Sequence, residues 1–156
     1  MKKRAVSFFF GILILDQLSK FIILKNFQPF QSFPVIKNIF HISLVCNKGL
    51  AFGLFSGNSR SSFAWIIYVS IVIIAFTLFF YKEFFGKGTA KGPRQLRQIF
   101  LSLILAGAVG NLIDRIRFGF VIDFLDFRIW PVFNIADSAI TIGTALLVLH
   151  ILKHKH

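Results

Sequence analysis

Two short stretches of the sequence place carboxylates in apolar surroundings, where acid–base chemistry is possible. Asp123 lies in VIDFLDF, and Asp137 lies in FNIADSAITIG at the start of the last long apolar run. The two residues flank a short predicted turn and can face each other across it. Such a pair shares one proton, because two adjacent carboxylates do not easily ionise together. The charged member can activate a water while the neutral member hydrogen-bonds a carbonyl, which is acid–base hydrolysis of an amide.

The other acidic residues have structural as well as functional interpretations. Asp16 and Lys20 are four residues apart, so they share a helix face and can form an ion pair. Asp114 precedes Arg115 at a predicted helix end, where an arginine can reach the membrane interface. A carboxylate near hydrocarbon is costly, so the convergence of several at one face of a small bundle predicts a functional site.

The residues around Asp137 and Asp126 suggest different roles for these two acids. Asn134 can cap a helix whose first turn contains Asp137, where the helix dipole favours a negative charge. No polar motif surrounds Asp126. We therefore expect Asp126 to be an ordinary structural residue.

The overall composition indicates a membrane protein. The chain has 156 residues, of which 56% are hydrophobic and 22 are Phe, with a mean hydropathy of +0.74. Soluble domains contain roughly 45–50% apolar residues. The net charge is +12, and the basic residues lie mostly between apolar runs. This placement favours anionic lipid headgroups over nucleic acid as partners.

The use of cysteine and histidine argues against disulfide and zinc chemistry. Cys46 is the single cysteine, so no internal disulfide can form. Three of the four histidines lie at the C-terminus, and no HExxH or Cys/His spacing suited to zinc is present. We therefore expect no metal and no other cofactor.

Four apolar segments have the length of about 20 residues that one membrane crossing needs. They cover residues 5–25, 62–82, 98–117 and 134–152. Residues 28–61 contain prolines and glycines that interrupt helices, and their IFHISLV stretch is typical of a short strand. We expect one domain, residues 1–156, that forms an all-α membrane protein of four transmembrane helices. A partly β segment follows the first helix, and residues 118–133 are predicted to be a short loop.

Four spans place both termini on the same side of the membrane. The loops and tails on that side carry ten basic residues, and the longer stretches on the other side carry eight. The positive-inside rule then puts the termini in the cytoplasm and the carboxylates at the extracytoplasmic face. Within the third span, GAVG supplies small residues that allow close helix packing.

Functions of other classes are alternatives at this point. A small ion-coupled transporter needs a carboxylate near the middle of a helix and often an inverted repeat, whereas here the acids lie at one face. A membrane scaffold would use the same acids structurally, so that Asp→Asn changes leave function intact. A nucleophile pair of Ser19 and Lys20 is disfavoured, because adjacent helix residues point about 100° apart.

Five motifs, in order, resemble those of lipoprotein signal peptidase, also called signal peptidase II, over nearly the whole chain. The matching segments are DQLSK (16–20), NKGLAFGLF (47–55), GNLIDR (110–115), VIDF (121–124) and FNIAD (133–137). The resemblance implies an aspartic endopeptidase of the bacterial cytoplasmic (inner) membrane. Enzymes of this family remove the signal peptide from diacylglyceryl-modified prolipoproteins and cleave before the lipidated cysteine.

The resemblance also implies roles for individual residues. It makes Asp123 and Asp137 the catalytic pair, in agreement with the pair selected from the residues alone. Substrate-binding or supporting roles are implied for Asn47, Asn111, Asp114, Arg115, Asn134, Ala136, Asp16 and Lys20. Residues 28–61 would form an extracytoplasmic β-cradle between the first two helices, with a mobile loop over the site. The expected partners are prolipoproteins and membrane lipids, with Arg115 or Lys20 meeting lipid phosphate, and we expect a monomer that binds no nucleic acid.

Overall fold

The structure, a computed structural model, describes residues 3–49, 67–68, 70–72, 74–75, 77–79 and 94–154. The helices of this part of the chain are α1 (Lys3–Asn26), α2 (Ser70–Phe79), α3 (Arg94–Phe118) and α4 (Ile135–Lys153). Among the described residues, three helices are long and apolar enough to cross a membrane, namely α1, α3 and α4. Large apolar side chains remain exposed along α1 and α4 and at the two ends of α3, which fits helices that face lipid.

Three of the four predicted spans are confirmed as helices, with ends that differ by a few residues. The spans predicted at 5–25, 98–117 and 134–152 correspond to α1, α3 and α4. Helices α1 and α3 begin earlier than their apolar runs, because lysine, arginine and glutamine are good helix formers. Much of the span predicted at 62–82 lies outside the described residues, although α2 falls within it. The count of four spans stays a prediction.

A small antiparallel sheet packs beside the helices. Its strands are β1 (Ser32–Ile36), β2 (Phe40–Asn47) and β3 (Val121–Asp126), in the spatial order β1-β2-β3. The strand predicted from IFHISLV is therefore confirmed as part of β2. The part of the predicted cradle and loop that covers residues 50–61 lies outside the described residues.

The prediction that residues 118–133 form a short loop is wrong, because β3 lies within this range. The turn that leads into β3 contains Gly119, whose φ of 80° is in the region that glycine adopts without strain. Strand β3 is mostly buried and pairs with β2 along its length. The sheet is thus assembled from two distant parts of the chain and is not confined to the segment between the first two helices.

A hydrophobic cluster joins the sheet to α1. It consists of Ile23 from α1, Leu44 from β2, and Ile122 and Phe124 from β3. Helix α3 packs against both α1 and α4. The C-terminal half of α3, the start of α4 and strand β3 therefore meet beside α1.

Candidate active site

Asp123 lies in the middle of β3 and is 1% exposed. Its backbone pairs with Val45 of β2, which brings the end of β2 next to its side chain. Asn47 Nδ2 donates to Asp123 Oδ2 at 2.9 Å, and Asn134 Nδ2 donates to Asp123 Oδ1 at 2.7 Å. Each carboxylate oxygen of Asp123 thus accepts a hydrogen bond from a different asparagine amide.

Asp137 lies in the first turn of α4, where the predicted cap is confirmed. Asn134 Oδ1 accepts from the backbone N of Asp137 at 2.9 Å, and Asp137 Oδ2 accepts from the backbone N of Asn134 at 3.3 Å. This is a capping box, and it fixes the start of α4. Asn111 Nδ2 on α3 donates to the other oxygen, Asp137 Oδ1, at 2.8 Å.

One fully buried residue, Asn134, connects the two carboxylates. Its side-chain nitrogen donates to Asp123, and its side-chain oxygen caps the helix turn that carries Asp137. The same nitrogen also lies 3.1 Å from Asn111 Oδ1. The two asparagines therefore form a hydrogen-bonded bridge between Asp123 on β3 and Asp137 on α4.

The electrostatic environment favours a proton on Asp123 near neutral pH. Burial, and then the negative charge of Asp137, raise the pKa of Asp123 to about 7, against the lowering effect of the hydrogen bonds from Asn47 and Asn134. A carboxyl group with this pKa both gains and loses a proton near neutrality. That property is what acid–base chemistry at ordinary pH requires.

Arg115 connects α3 to the turn that follows β2. Its Nη1 lies 3.4 Å from the backbone O of Asn111, and its Nη2 lies 3.5 Å from the backbone O of Gly49. The backbone N of Gly49 in turn donates to Asn47 Oδ1 at 2.9 Å. Arg115 is half-buried and attracts the carboxylates of Asp137 and Asp123 electrostatically. Whether Arg115 also meets lipid phosphate stays a prediction.

Asp16, Lys20 and Asp114 form a buried ion cluster between α1 and α3, which we call the Lys20 cluster. Lys20 Nζ lies 2.9 Å from Asp16 Oδ2 and 2.8 Å from Asp114 Oδ2. The predicted pairing of Asp16 with Lys20 is confirmed, and Lys20 also bonds Asn111 Oδ1 at 2.9 Å. Because Lys20 is only 1% exposed, the expectation that it meets lipid phosphate is wrong.

Glycines on α3 allow both α1 and α4 to approach it closely. A Cβ on Gly110 would lie 2.6 Å from Asp16 Oδ2, which leaves no room for a side chain there. A Cβ on Gly107 would collide with the backbone O of Ala136. Both glycines belong to GAVG, so the predicted role of this segment in close packing is confirmed.

All ten predicted site residues lie in this one network of contacts. The side chain of Gln17, which sequence reasoning missed, also belongs to it. Gln17 Nε2 lies within 3.2 Å of Asp16 Oδ2, the backbone O of Gly110 and Asp114 Oδ1. Its signal was available, because Gln17 is a polar residue inside an apolar helix and belongs to DQLSK. Ser19 Oγ instead donates to the backbone O of Asp16, so it does not pair with Lys20.

Asp126 lies outside the network, as expected. Its Oδ2 accepts from Ser43 Oγ and from Arg128 Nη1, each at 3.1 Å, and its Oδ1 accepts from the backbone N of Arg128 at 2.9 Å. Arg128 has a φ of 64°, a left-handed conformation that this turn requires of it. Asp126 therefore fixes the turn after β3.

These features define an integral membrane protein that carries a buried pair of carboxylates, bridged by asparagine amides, where a small sheet meets its helices. The sequence model of a family described as signal peptidase (SPase) II matches residues 8–153. The chain belongs to the signal peptidase II family, whose members are proteins of the bacterial inner membrane.

Individual relatives agree with this assignment. The lipoprotein signal peptidase of Halothermothrix orenii is 44% identical over 144 residues, which cover 92% of this chain and 92% of the relative. That of Moorella thermoacetica is 46% identical over 136 residues, which cover 87% of this chain and 84% of the relative. That of Clostridioides difficile is 41% identical over 145 residues, which cover 88% of this chain and 87% of the relative.

Two solved structures share the fold. Each is described as a bacterial membrane enzyme structure obtained by the in meso method, one at 2.3 Å and one at 1.9 Å resolution. Both are 32% identical in sequence and cover 98% of this chain, with TM-scores of 0.84 and 0.81. This chain covers 90% of the first structure and 95% of the second.

Proposed function

We propose that the protein is an aspartic endopeptidase that removes the signal peptide from diacylglyceryl-modified prolipoproteins and cleaves before the lipidated cysteine. The observation that carries the proposal is the bridged pair Asp123 and Asp137, in a chain of the signal peptidase II family. The relatives named lipoprotein signal peptidase supply the substrate class. The raised pKa of Asp123 supports aspartic chemistry.

The mechanism requires one proton on the pair of carboxylates. The ionised carboxylate removes a proton from water as the oxygen of that water attacks the carbonyl carbon of the scissile amide. The protonated carboxyl donates its proton to the carbonyl oxygen, which gives a tetrahedral diol. The carboxyl that took its proton from water then donates it to the leaving nitrogen, and the C–N bond breaks. The other carboxylate takes a proton back from the diol, so the pair returns to its starting protonation state.

The surrounding residues hold the reacting groups in place. Asn111 and Asn134 donate to the pair and exclude other orientations of the two carboxylates. Asn47 donates to Asp123 from the end of β2, and Arg115 anchors the turn that follows. We assign these residues supporting or substrate-binding roles, together with Asp16, Lys20, Asp114 and Ala136.

The lipid on the substrate accounts for the location of the site in a membrane protein. A diacylglyceryl anchor holds the scissile bond near the headgroups, and this tethering raises its local concentration without tight recognition of the peptide. The exposed apolar faces of the helices provide surfaces against which acyl chains can pack. In this proposal the protein is a single-domain monomer with both termini cytoplasmic, and the site opens to the extracytoplasmic face.

The test is cleavage of a purified diacylglyceryl-modified prolipoprotein by the purified protein in detergent. Wild type runs beside Asp123→Asn and Asp137→Asn, with Asp126→Asn as the matched control on the same strand. Folding of each variant is checked by circular dichroism, and EDTA and the unlipidated substrate are included. We expect wild type and Asp126→Asn to cleave before the lipidated cysteine with or without EDTA, and the other two variants to lose at least about 10³-fold in rate.

Each alternative gives a different result in this experiment. Near-normal cleavage by folded Asp123→Asn or Asp137→Asn would show that the pair is not catalytic. Cleavage that EDTA abolishes would contradict acid–base chemistry by the carboxylates alone. A folded wild-type protein that does not cleave at all would refute the peptidase function, and an ion-coupled transporter would then be examined by flux measurements in vesicles.

A further inference from the structure

Lys20 lies at the centre of a buried ion cluster that takes no direct part in the hydrolysis. Its ammonium has three acceptors within 2.9 Å, namely Asp16 Oδ2, Asp114 Oδ2 and Asn111 Oδ1. Three acceptors match the three N–H groups of an ammonium, so every donor is used. Buried ion pairs contribute little net stability compared with apolar groups of the same size, so stability alone is a weak explanation for the cluster.

One carboxylate partner of Lys20 holds the strand residue that precedes Asp123. Asp114 Oδ2, the same atom that binds the ammonium, accepts a hydrogen bond from the backbone N of Ile122 at 3.3 Å. Both residues are buried, and the contact fixes β3 against α3. The position of Asp123 therefore depends on where Lys20 places this carboxylate.

The other carboxylate partner holds the helix residue that precedes Asp137. Asp16 Oδ1 accepts from the backbone N of Ala136 at 2.9 Å, while its Oδ2 binds Lys20. This contact fixes the first turn of α4 against α1. Because Lys20 binds both carboxylates, a single side chain relates the position of Asp123 to that of Asp137.

A third contact fixes which end of the Asn111 amide faces Asp137. An ammonium can only donate, so the Asn111 atom that faces Lys20 must be the oxygen. That oxygen also accepts from Asn134 Nδ2, and the amide nitrogen is left to donate to Asp137 Oδ1. Lys20 and Asn134 both donate to the Asn111 oxygen and so fix the orientation of its amide. Lys20 is the charged donor, and charge-assisted hydrogen bonds are stronger than neutral ones.

We propose that Lys20 is a positioning residue that sets the spacing and orientation of Asp123 and Asp137 through its two carboxylate partners and one amide. The inference rests on the proposed function, since it assigns Lys20 a part in the same reaction. Lys20 does not touch the reacting atoms and acts through the backbone and side-chain contacts described above. A displacement of about 1 Å in such a pair can lower a rate about 100-fold.

Lys20 also affects the charge of the pair. The titratable groups that interact electrostatically with Asp123 are Asp137 on α4, Lys20 on α1, Arg115 on α3 and Cys46 on β2. Burial and the charge of Asp137 raise the pKa of Asp123, whereas the charge of Lys20 lowers it. Removal of this cation should therefore move the loss of the shared proton to higher pH.

The test compares Lys20→Arg and Lys20→Met with Lys25→Met, which changes an exposed lysine of the same helix. We expect the kcat of Lys20→Arg to fall about 10- to 100-fold, because a planar guanidinium cannot reproduce three compact contacts, while KM stays near that of wild type. Lys20→Met should fall at least as far, and the alkaline limb of its pH profile should move to higher pH. Lys25→Met should keep the wild-type kcat and pH profile.

The two Lys20 variants keep the test decisive if one of them does not fold. Lys20→Met leaves two buried carboxylates without their cation, which is strongly destabilising. Lys20→Arg keeps the positive charge, so its kcat tests the proposal if Lys20→Met does not fold. A wild-type kcat and pH profile in either folded variant, even with a lower unfolding temperature, would make the cluster merely structural and overturn the proposal.

A readout that does not depend on activity separates this inference from the proposed function. A wild-type protein that cleaves no lipidated substrate refutes the proposed function. The ¹³C NMR signals of the Asp123 and Asp137 carboxyls then test Lys20 on their own. We expect these signals to shift in both Lys20 variants, and the signal of Asp123 to titrate at higher pH in Lys20→Met. Signals and titrations equal to those of wild type would overturn the inference.

Discussion

Asp123 and Asp126 lie three residues apart on β3, and their surroundings shift their pKa values in opposite directions. Side chains alternate between the faces of a strand, so this odd spacing places the two carboxylates on different faces. On one face, burial and the charge of Asp137 raise the pKa of Asp123 to about 7. On the other face, burial alone would raise the pKa of Asp126, but hydrogen bonds from Arg128 and Ser43 outweigh it and hold that pKa below 3.8.

The comparison shows that partners in space, and not neighbours in sequence, decide what a carboxylate does. Both residues belong to the same apolar stretch, VIDFLDF. A carboxylate beside a cation stays ionised and makes fixed structural contacts. A carboxylate held by neutral amides beside a second carboxylate remains able to exchange a proton near neutral pH. Changes to the partners should therefore affect the two faces of β3 in different ways.

The largest expected difference concerns the donors to the two carboxylates. Asn134→Ala removes the hydrogen bond to Asp123 and the cap of α4, so we expect kcat to fall about 100-fold and stability to fall by about 1 kcal/mol. Ser43→Ala removes one donor to Asp126 and should leave kcat unchanged. The measurement is cleavage of the lipidated substrate, with thermal unfolding followed by circular dichroism.

The Ser43→Ala variant is also the control for loss of a buried polar group, because Ser43 is 5% exposed and Asn134 is fully buried. Equal losses of activity in the two variants would mean that both faces of β3 serve catalysis. Retention of activity in folded Asn134→Ala would mean that the bridge between Asp123 and Asp137 is dispensable.

The next effect concerns the pH dependence of cleavage. With a pKa of about 7 at Asp123, the rate should fall about tenfold per pH unit on the alkaline side of pH 7. Burial and Asp137 raise this pKa and the hydrogen bond from Asn47 lowers it, so Asn47→Ala should move the alkaline limb to higher pH. Arg128→Ala removes the cation beside Asp126 and should leave the limb in place.

The pH profiles of these variants, measured as kcat/KM for the lipidated substrate, separate local from general effects. A limb that moves equally in Asn47→Ala and Arg128→Ala would show that the two faces of β3 are electrostatically coupled. A limb that does not move in Asn47→Ala would show that the group that titrates is not Asp123.

Much of the site could be predicted from the sequence because its charged residues lie within or beside apolar segments, where a charge is energetically unfavourable. Helices α1, α3 and α4 follow from the length of their apolar runs. Within and beside those runs, charged residues such as Asp16 and Lys20 stand out, because a charged side chain near hydrocarbon is energetically unfavourable and therefore suggests a function. The motifs that resemble signal peptidase II implied roles for the same residues and added Asn47, Asn111 and Ala136, which the residue types alone had not singled out.

The remaining features depend on contacts that sequence patterns do not encode. Strand β3 is buried on both faces, so VIDFLD lacks the alternation of apolar and polar residues that identifies a half-buried strand. Its partner β2 lies on the far side of α3 in the chain. The three contacts of Lys20, and the participation of Gln17, depend on how α1 is rotated against α3, which only the packed structure determines.

The smallest expected effect is on stability, and its sign differs between the two carboxylates. The pKa of Asp123 is about 7 in the folded protein and 3.8 when unperturbed. Its contribution to stability is therefore complete below pH 3.8 and is lost as the pH rises through 7. The amide in Asp123→Asn does not titrate, so this variant does not lose that contribution as the pH rises. The unfolding temperature of Asp123→Asn minus that of wild type should therefore increase from pH 5 to pH 8.

Asp126 should behave in the opposite way. Its pKa lies below 3.8 in the folded protein, so its contribution is complete above that value and is lost as the pH falls through the folded pKa. Because Arg128 is half exposed, solvent weakens the pair, and Asp126→Asn should cost about 1 kcal/mol at pH 7, or about 2–4 °C in unfolding temperature. This deficit should shrink below pH 4. Thermal unfolding of both variants across pH 3–8 tests the two predictions. If the unfolding temperatures of the two variants depend on pH in the same way, the pKa of Asp123 is not near 7.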